Sequence, residues 1–305
     1  MQPTQSDPGG ADARRSKVTT VAEAIARYVP AVCPSLVIGG MHLHNMPMAL
    51  VRELVRRRAD HRIETLIAGP AAGMGADLLI GAGMVQEAIV SYIGLEHFGL
   101  APAFRRAVAE GRLVVHDLDA FALLEAVRAG GAGLPFAVVP PGIEQTDLPQ
   151  APGSLYRPVP DPFHGGQAWA VPALRPSVAL IACQEADEYG NAIFRGATLS
   201  DRTLALAADT VIVQVEKIVD HAAILKAPQT VGIPGFRVAA VVPVGFGAHP
   251  TSSHRYYNYD DIHIKYYQRQ AATEAGFWDY VRRYCDEPAN QDAYMDRVQE
   301  EEWQR

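Results

Sequence analysis

Short apolar runs alternate with stretches of helical periodicity over the first half of the chain. Each run has the length and composition of a buried strand, and the segment that follows carries apolar residues three and four positions apart. The pattern predicts strands over 36–38, 63–69, 87–93, 113–119 and 136–142, and helices over 21–29, 47–58, 74–84, 102–110 and 120–130. Such alternation is typical of an α/β fold with an open, mostly parallel sheet and helices on both faces.

The pattern is interrupted once and then resumes. Residues 144–168 are rich in Pro, Gly and Asp, and they predict a long loop with a functional or assembly role. Beyond it the sequence predicts strands over 176–187, 209–219 and 236–244, a helix near 201–208, and C-terminal helices over 260–284 and 289–303. No internal repeat or linker divides the chain. We expect a disordered N-terminus over 1–17, followed by a single domain over 18–305.

Composition narrows the class of protein. The 305 residues are 49% hydrophobic and 20% charged, which is ordinary for a soluble globular protein, and the net charge of −7 argues against a general nucleic-acid surface. No apolar run reaches the roughly 18–20 residues of a membrane span. The three cysteines are far apart, match no metal or redox spacing and suit a reducing cytoplasm. We therefore expect a cytoplasmic protein without membrane or nucleic-acid partners.

The most informative stretch is residues 35–54, which reads as a strand, a glycine turn and a helix. Gly39 and Gly40 end the strand where open α/β sheets bind ligands, and their N–H groups can hold an oxyanion, a carboxylate or a thioester oxygen. The alternative is a packing turn. Five residues, 41–45, directly follow this turn, and four of them are candidates for substrate binding: Met41, His42, His44 and Asn45. The two histidines lack a third ligand at suitable spacing, so we expect no metal site.

Other polar residues follow neighbouring strands at the same sheet edge. Glu96 comes after the strand at 87–93 and can orient a substrate or act as a general base, or it can be a surface residue at a helix start. Asp117 is open to a similar role, whereas Asp119 suits a helix cap. A second glycine turn at 245–250 adds three candidates for substrate binding: Gly247, Ala248 and His249.

Four segments together resemble the α (A) subunit of family I CoA-transferases, in particular glutaconate CoA-transferase-like proteins. They are VIGGMHLHNMPMALVREL (37–54), SYIGLEHFGLAPAFRRAVAEGRL (91–113), VALIACQEADEYGNAIF (178–194), and VEKIVD (215–220) with GFGAHPTS (245–252). The segments occur in family order, and the resemblance extends from about residue 18 to residue 270.

This resemblance implies a CoA-transferase type of fold and a hetero-oligomer with a β (B) subunit. The family moves CoA between an acyl-CoA and a carboxylic acid through a glutamyl-CoA thioester, and the reacting glutamate belongs to the β subunit. No catalytic residue is therefore expected in this chain, although Glu96 and Asp117 are possible supporting acids or bases. The CoA thioester is a substrate, and no permanently bound cofactor is expected. Gly39, Gly40 and the residues from Met41 to Asn45 match the glycine loop that the α subunit lends to the shared cleft.

The turn also departs from the family. Members that use simple short-chain acids often have a Gly-Gly-Phe-Gly-like turn, whereas this chain has Met41, His42 and His44. Two alternatives therefore stay open. One is a subunit of a hydrolase that opens a cyclic CoA thioester from steroid-ring breakdown, and the other is a non-catalytic ligand-binding or scaffold subunit.

Overall fold

A computed structural model describes residues 15–302 of the chain, and the side chains over 15–300. The strands are, in chain order, β1 (Val32–Ile38), β2 (Arg62–Ala68), β3 (Val85–Val90), β4 (Val114–Asp117), β5 (Phe136–Val139), β6 (Arg157–Pro160), β7 (Gln167–Pro172), β8 (Val178–Ala186), β9 (Ala192–Ile193), β10 (Thr210–Ile218), β11 (Val231–Ile233) and β12 (Val238–Pro243). The α-helices are α1 (Val21–Tyr28), α2 (Met48–Arg56), α3 (Met74–Gly81), α4 (Pro102–Ala109), α5 (Ala120–Gly131), α6 (Asp201–Ala207), α7 (His221–Lys226), α8 (Asp261–Ala271), α9 (Glu274–Val281) and α10 (Gln291–Glu302).

Seven parallel strands form the centre of the main sheet, in the order β12-β10-β8-β1-β2-β3-β4. Strands β1 to β4 build outwards in one direction, whereas β8, β10 and β12 build outwards in the other. The order therefore reverses between β1 and β8. In open α/β sheets a ligand binds outside the carboxyl ends of the strands at such a reversal. Strand β1 ends there at Ile38, directly before the glycine turn.

Alternating side chains of the strands feed two hydrophobic cores. Leu36 and Ile38 of β1 belong to one core, with helices α1 to α4 and the C-terminal helices, whereas Val37 points into the other, with α5 and α6. Burial on both faces explains why the strands read as continuous apolar runs in the sequence. The open α/β fold is therefore confirmed, while the single-domain organisation stays a prediction.

The region between residues 136 and 172 corrects the prediction. Strand β5 leaves the parallel sheet and pairs with β7 in a separate antiparallel sheet, in the order β5-β7-β6. The segment 144–168 is therefore not a simple loop, because it contains β6 and the start of β7. These strands escape sequence analysis because they are short, half exposed and interrupted by Pro158 and Pro160.

The two ends of the chain also differ from the expectation. Residues 1–14 of the predicted disordered segment lie outside the described residues, but Lys17 is ordered, because its Nζ donates to the carbonyl oxygens of Gly235 and Val238 at 2.7 and 2.8 Å. The predicted helix over 260–284 is divided. It breaks after α8, resumes as α9 and ends in a π-helical turn over Arg282–Asp286.

Candidate functional site

Two hydrogen bonds to other parts of the protein hold the glycine turn in place. The N–H of Gly39 donates to the Leu180 carbonyl at 2.8 Å, and the N–H of Gly40 donates to Oδ1 of Asp201 at 2.7 Å. Both donors are therefore engaged inside the protein. This corrects the expectation that exposed N–H groups of this turn hold an anion. The prediction that Gly39 and Gly40 let a substrate approach closely does not depend on those donors, and it stays a prediction.

The residues that follow form a tight loop with strained backbone. Met41 and His44 exchange two backbone hydrogen bonds of 3.0 and 2.9 Å. His42 and Asn45 both have a φ of +53°, in the left-handed region that side chains other than glycine rarely adopt. Each such residue costs about 1–3 kcal/mol and persists where its surroundings enforce it, often at functional sites. The 41–45 loop therefore has the kind of backbone that is common at functional sites, and its role in substrate binding stays a prediction.

The second glycine-rich segment binds directly to this loop. The N–H of Asn45 donates to the Ser252 carbonyl at 2.8 Å, and the N–H of Ser252 donates to the Leu43 carbonyl at 2.8 Å. The ring Nδ1 of His44 lies 2.6 Å from the Ser252 hydroxyl. The amide of Gln184 adds a 2.8 Å hydrogen bond to Oδ1 of Asn45. Two segments about 200 residues apart in sequence therefore form one rigid unit at the strand reversal.

Gly247, Ala248 and His249 have a different place from the one predicted. Ala248 is buried, and its N–H points to the Tyr257 hydroxyl at 3.0 Å. A Cβ on Gly247 would lie 2.6 Å from the Gln214 side chain. These two buried residues therefore pack beneath the loop rather than on its open side.

His249 is likewise part of the packing. Its Nδ1 lies 2.7 Å from the Tyr294 hydroxyl, and its Nε2 lies 3.1 Å from the Asp260 carboxyl. Burial acts to raise the pKa of Asp260, but hydrogen bonds from His249 and from the His263 N–H lower it to about 2. With both ring nitrogens engaged, His249 supports the loop from below.

Glu96 is brought to the glycine loop, as the shared sheet edge predicts. Its Oε1 lies 3.9 Å from Nε2 of His42, and both side chains stay partly exposed. The His42 ring also packs edge-on against Tyr92, with 5.4 Å between ring centroids. Nδ1 of His42 is buried and has no hydrogen-bond partner among the described residues. Glu96 itself has a φ of +52°, so three non-glycine residues of left-handed backbone converge here.

Asp117 is not part of this cluster. It lies at the end of β4, an edge strand three positions from β1 in the sheet. This places it about 14 Å from the end of β1, where the glycine turn begins. Its neighbour Asp119 caps α5 as predicted, because its Oδ1 accepts the N–H groups of Phe121 and Ala122.

Two acids near the glycine turns, the buried Asp201 and the partly exposed Glu216, are not among the candidates from the sequence. Asp201 supports the glycine turn, and Glu216 accepts the Tyr257 hydroxyl and the Phe246 N–H at the end of β10. Burial raises the pKa of Glu216. Glu216 lies within the family-like segment VEKIVD, which is the only signal for it. Asp201 reads in the sequence as an ordinary first residue of a helix.

The thiols of the chain are poor nucleophiles. Burial raises the pKa of Cys33 to about 11 and that of Cys285 to about 12, and it raises the pKa of Cys183 well above its usual range. Thiolate is the reactive form, so all three are inert near neutral pH. Among the described residues, no three His, Cys, Asp or Glu side chains are grouped in a way that could hold a metal ion.

A parallel sheet whose order reverses beside a glycine turn defines an open α/β ligand-binding protein. The Coenzyme A transferase family model matches residues 18–243, and the chain belongs to this family. Its sequence is 29% identical to the A-type subunit of glutaconate CoA-transferase from Acidaminococcus fermentans, over 93% of this chain and 92% of that protein. It is 32% identical to the A-type subunit of 3-oxoadipate CoA-transferase from Pseudomonas knackmussii, over 88% and 89%. The predicted family is thereby confirmed.

The fold agrees with this assignment. The crystal structure of the Acidaminococcus fermentans glutaconate CoA-transferase superposes with a TM-score of 0.85 and covers 93% of each chain. Other relatives differ in chemistry or length. The cholesterol ring-cleaving hydrolase IpdA subunit of Rhodococcus jostii is 28% identical over 86% of this chain and 89% of that protein. A 32% identical protein of Archaeoglobus fulgidus matches 81% of this chain, which spans only 54% of its length.

Proposed function

We propose that this chain is the α subunit of a heteromeric CoA-transferase, which moves CoA between an acyl-CoA and a carboxylic acid. A B-type subunit completes the active site and contributes the glutamate that forms the glutamyl-CoA thioester. No cofactor is permanently bound, and the complex works in the cytoplasm. None of the helices in the described part of the chain is both long and apolar enough to cross a membrane.

One observation carries this proposal: the 41–45 loop and the segment around Ser252 form one rigid unit at the strand reversal of a CoA-transferase fold. The loop is rigid and partly exposed, as a surface that orients an acyl-CoA must be. The thiols are protonated, and Ser252, whose hydroxyl lies 2.6 Å from Nδ1 of His44, is a buried residue. A site that positions substrate but presents no exposed nucleophile fits a subunit whose partner supplies the attacking carboxylate.

Activity is expected only from the assembled pair. The chain alone should not turn over acyl-CoA, whereas coexpression with the B-type subunit encoded by the neighbouring gene should give transfer that depends on an added carboxylic acid. Mass spectrometry of both chains after incubation with acyl-CoA alone should find a CoA adduct on a glutamate of the partner. Turnover by the purified single chain, or an adduct on this chain, would overturn the shared-site proposal.

A second candidate is a hydrolase or ring-opening subunit, and the proximity of Glu96 to His42 favours it. The carboxylate lies 3.9 Å from an imidazole whose other nitrogen is buried, so the pair can take up and release a proton at the open side of the loop. The similarity of this chain to the IpdA subunit, which is named as part of a cholesterol ring-cleaving hydrolase, supports this candidate. In this version product forms without any carboxylic acid acceptor.

Glu96→Gln separates the two candidates. For a transferase we expect kcat to fall by less than about 10-fold, because the covalent step belongs to the partner; for a hydrolase we expect a loss of about 100-fold or more. Glu110→Gln is the control, since Glu110 lies at the opposite edge of the sheet and pairs with Arg112 in solvent. A complex that binds acyl-CoA but shows neither activity would point to the non-catalytic scaffold.

A further inference from the structure

Beneath the glycine turn lies a carboxyl group that is completely shielded from solvent. Asp201 is the first residue of α6, and its exposed fraction is 0%. Its Oδ1 accepts the N–H of Gly40 at 2.7 Å, and a Cβ on Gly39 would lie 2.7 Å from the same oxygen. The turn therefore rests directly on this carboxyl, with no room for another atom between them.

The second oxygen of this carboxyl, Oδ2, has no obvious structural role. Oδ2 of Asp201 and the hydroxyl of Ser200 are both buried, and neither has a hydrogen-bond partner among the described residues. An apolar side chain of similar shape would avoid the cost of burying these oxygens. Among the described residues, the hydrogen bond that this carboxyl accepts is the one from the Gly40 N–H.

That single hydrogen bond fixes the orientation of a whole peptide unit. Because the peptide is planar and trans, the carbonyl of Gly39 points in the direction opposite to the N–H of Gly40. Asp201 thus determines which way the Gly39–Gly40 peptide faces. Gly40 has a φ of +84° and leads straight into the 41–45 loop, so the orientation of this peptide sets the start of that loop.

We infer that Asp201 is a positioning residue for the proposed acyl-CoA reaction: the glycine turn keeps its working geometry only while a side-chain oxygen at position 201 accepts the Gly40 N–H. The inference rests on the proposed function for its effect on turnover. Its structural part, the hold on the Gly40 amide, is independent of any activity.

The groups around Asp201 do not compete with the Gly40 N–H for its carboxyl. Burial raises its pKa to about 7, against the opposing effect of the Gly40 N–H. Around it lie Ile181 and Cys183 of β8; burial and the proximity of Asp201 both raise the pKa of the Cys183 thiol, which therefore stays neutral. Arg202, the next residue of α6, is exposed. The Gly40 N–H favours the ionised form of the carboxyl, so the hold on the turn is not lost as the pH rises through 7.

Two substitutions test the inference in the assembled complex. Asp201→Ala removes the acceptor and should lower kcat/KM by about 30-fold or more, whereas Asp201→Asn keeps an acceptor oxygen and should lose no more than about 3-fold. Ser200→Ala is the matched control, because its hydroxyl is equally buried but does not contact the turn; its activity should be unchanged.

Hydrogen exchange of the peptide covering 39–46 provides a readout without turnover. The amide of Gly40 should exchange faster in Asp201→Ala and stay protected in Asp201→Asn, with assembly checked by size exclusion. Equal activity and exchange in the two variants would overturn the inference. If exchange responds as expected but the wild-type complex transfers no CoA, the proposed function fails and the positioning role stands.

Discussion

Replacing Gly40 with alanine is expected to lower kcat/KM of the assembled complex by about 100-fold. The new Cβ would lie 2.6 Å from the carbonyl oxygen of His44 and 2.7 Å from that of Asn45. Both obstacles are backbone atoms of a loop tied to the 245–253 segment, so they cannot move aside as a flexible side chain would. The loop must therefore shift away from the turn. Steady-state kinetics with acyl-CoA and a carboxylic acid acceptor measure the loss.

Gly111→Ala separates this clash from simple backbone strain. Gly111 also has a left-handed backbone, with a φ of +66°, but no atom lies within 4 Å of the position of its Cβ. It follows α4 at the opposite edge of the sheet. Both variants carry the same strain of about 1–2 kcal/mol, and only the one at Gly40 should lose activity. An assembled Gly40→Ala complex with wild-type kinetics would contradict the binding role of the turn and favour a scaffold.

Much of the fold can be predicted from the sequence because the central strands are buried on both faces. The apolar runs around Leu36, Leu66 and Ala88 leave no other interpretation, and the helices between them carry clear periodicity. Thr20 even forms the complete capping box with Glu23 that begins α1. What the sequence does not predict is the antiparallel β5-β7-β6 sheet. The strand at β5 is predicted, but β6 and β7, which are half-exposed strands of four and six residues, carry little periodic signal.

The candidate site, like the fold, can be predicted from the sequence only in part. Its location follows from the sequence, because strand ends and glycine turns are local features, and Glu96 does meet His42 there. Its internal bonds do not follow. Asp201 contacts Gly40 across 161 positions of the chain. No local pattern distinguishes Asp201 from the first residue of an ordinary helix. Likewise, no local pattern indicates that His249 packs inside the protein rather than lining the cleft.

The stretch between β3 and α4 is the third segment of the candidate site. A side chain of α3 holds it in place. Glu96 lies in the stretch between β3 and α4, which meets the glycine loop through His42. The first turn of α4 has no capping side chain of its own, because its N-cap is Ala101. The carboxyl of Asp77 in α3 provides the cap instead, by accepting the N–H groups of Phe104 and Ala103 at 2.6 and 3.3 Å.

Asp77→Ala is therefore expected to destabilise the protein strongly. The side chain is fully buried, and besides the two N–H groups it accepts the Tyr267 hydroxyl at 2.6 Å. Its removal leaves three buried donors without a partner, which should cost about 3–5 kcal/mol and lower Tm by roughly 5–10 °C. Thermal unfolding followed by circular dichroism measures this.

Two matched variants show whether the loss of stability in Asp77→Ala comes from the loss of its hydrogen bonds. Asp60→Ala removes an exposed carboxyl from a surface turn and should change stability by less than about 0.5 kcal/mol. Asp77→Asn keeps one acceptor oxygen but places an NH2 group against a donor that the second oxygen accepts, so it should recover only part of the stability. A stability of Asp77→Ala within about 1 kcal/mol of wild type would mean that the donors find other partners.

The effect should also extend to the site. Helix α4 begins at Pro102, soon after the turn that carries Glu96, so freeing its first turn frees the segment that holds this carboxylate against His42. Hydrogen exchange over 91–101, well below the Tm of each variant, should therefore increase in Asp77→Ala and stay unchanged in Asp60→Ala. Exchange confined to 102–109 would instead show that the Glu96 segment is held by its own contacts, and that Asp77 stabilises the helix alone.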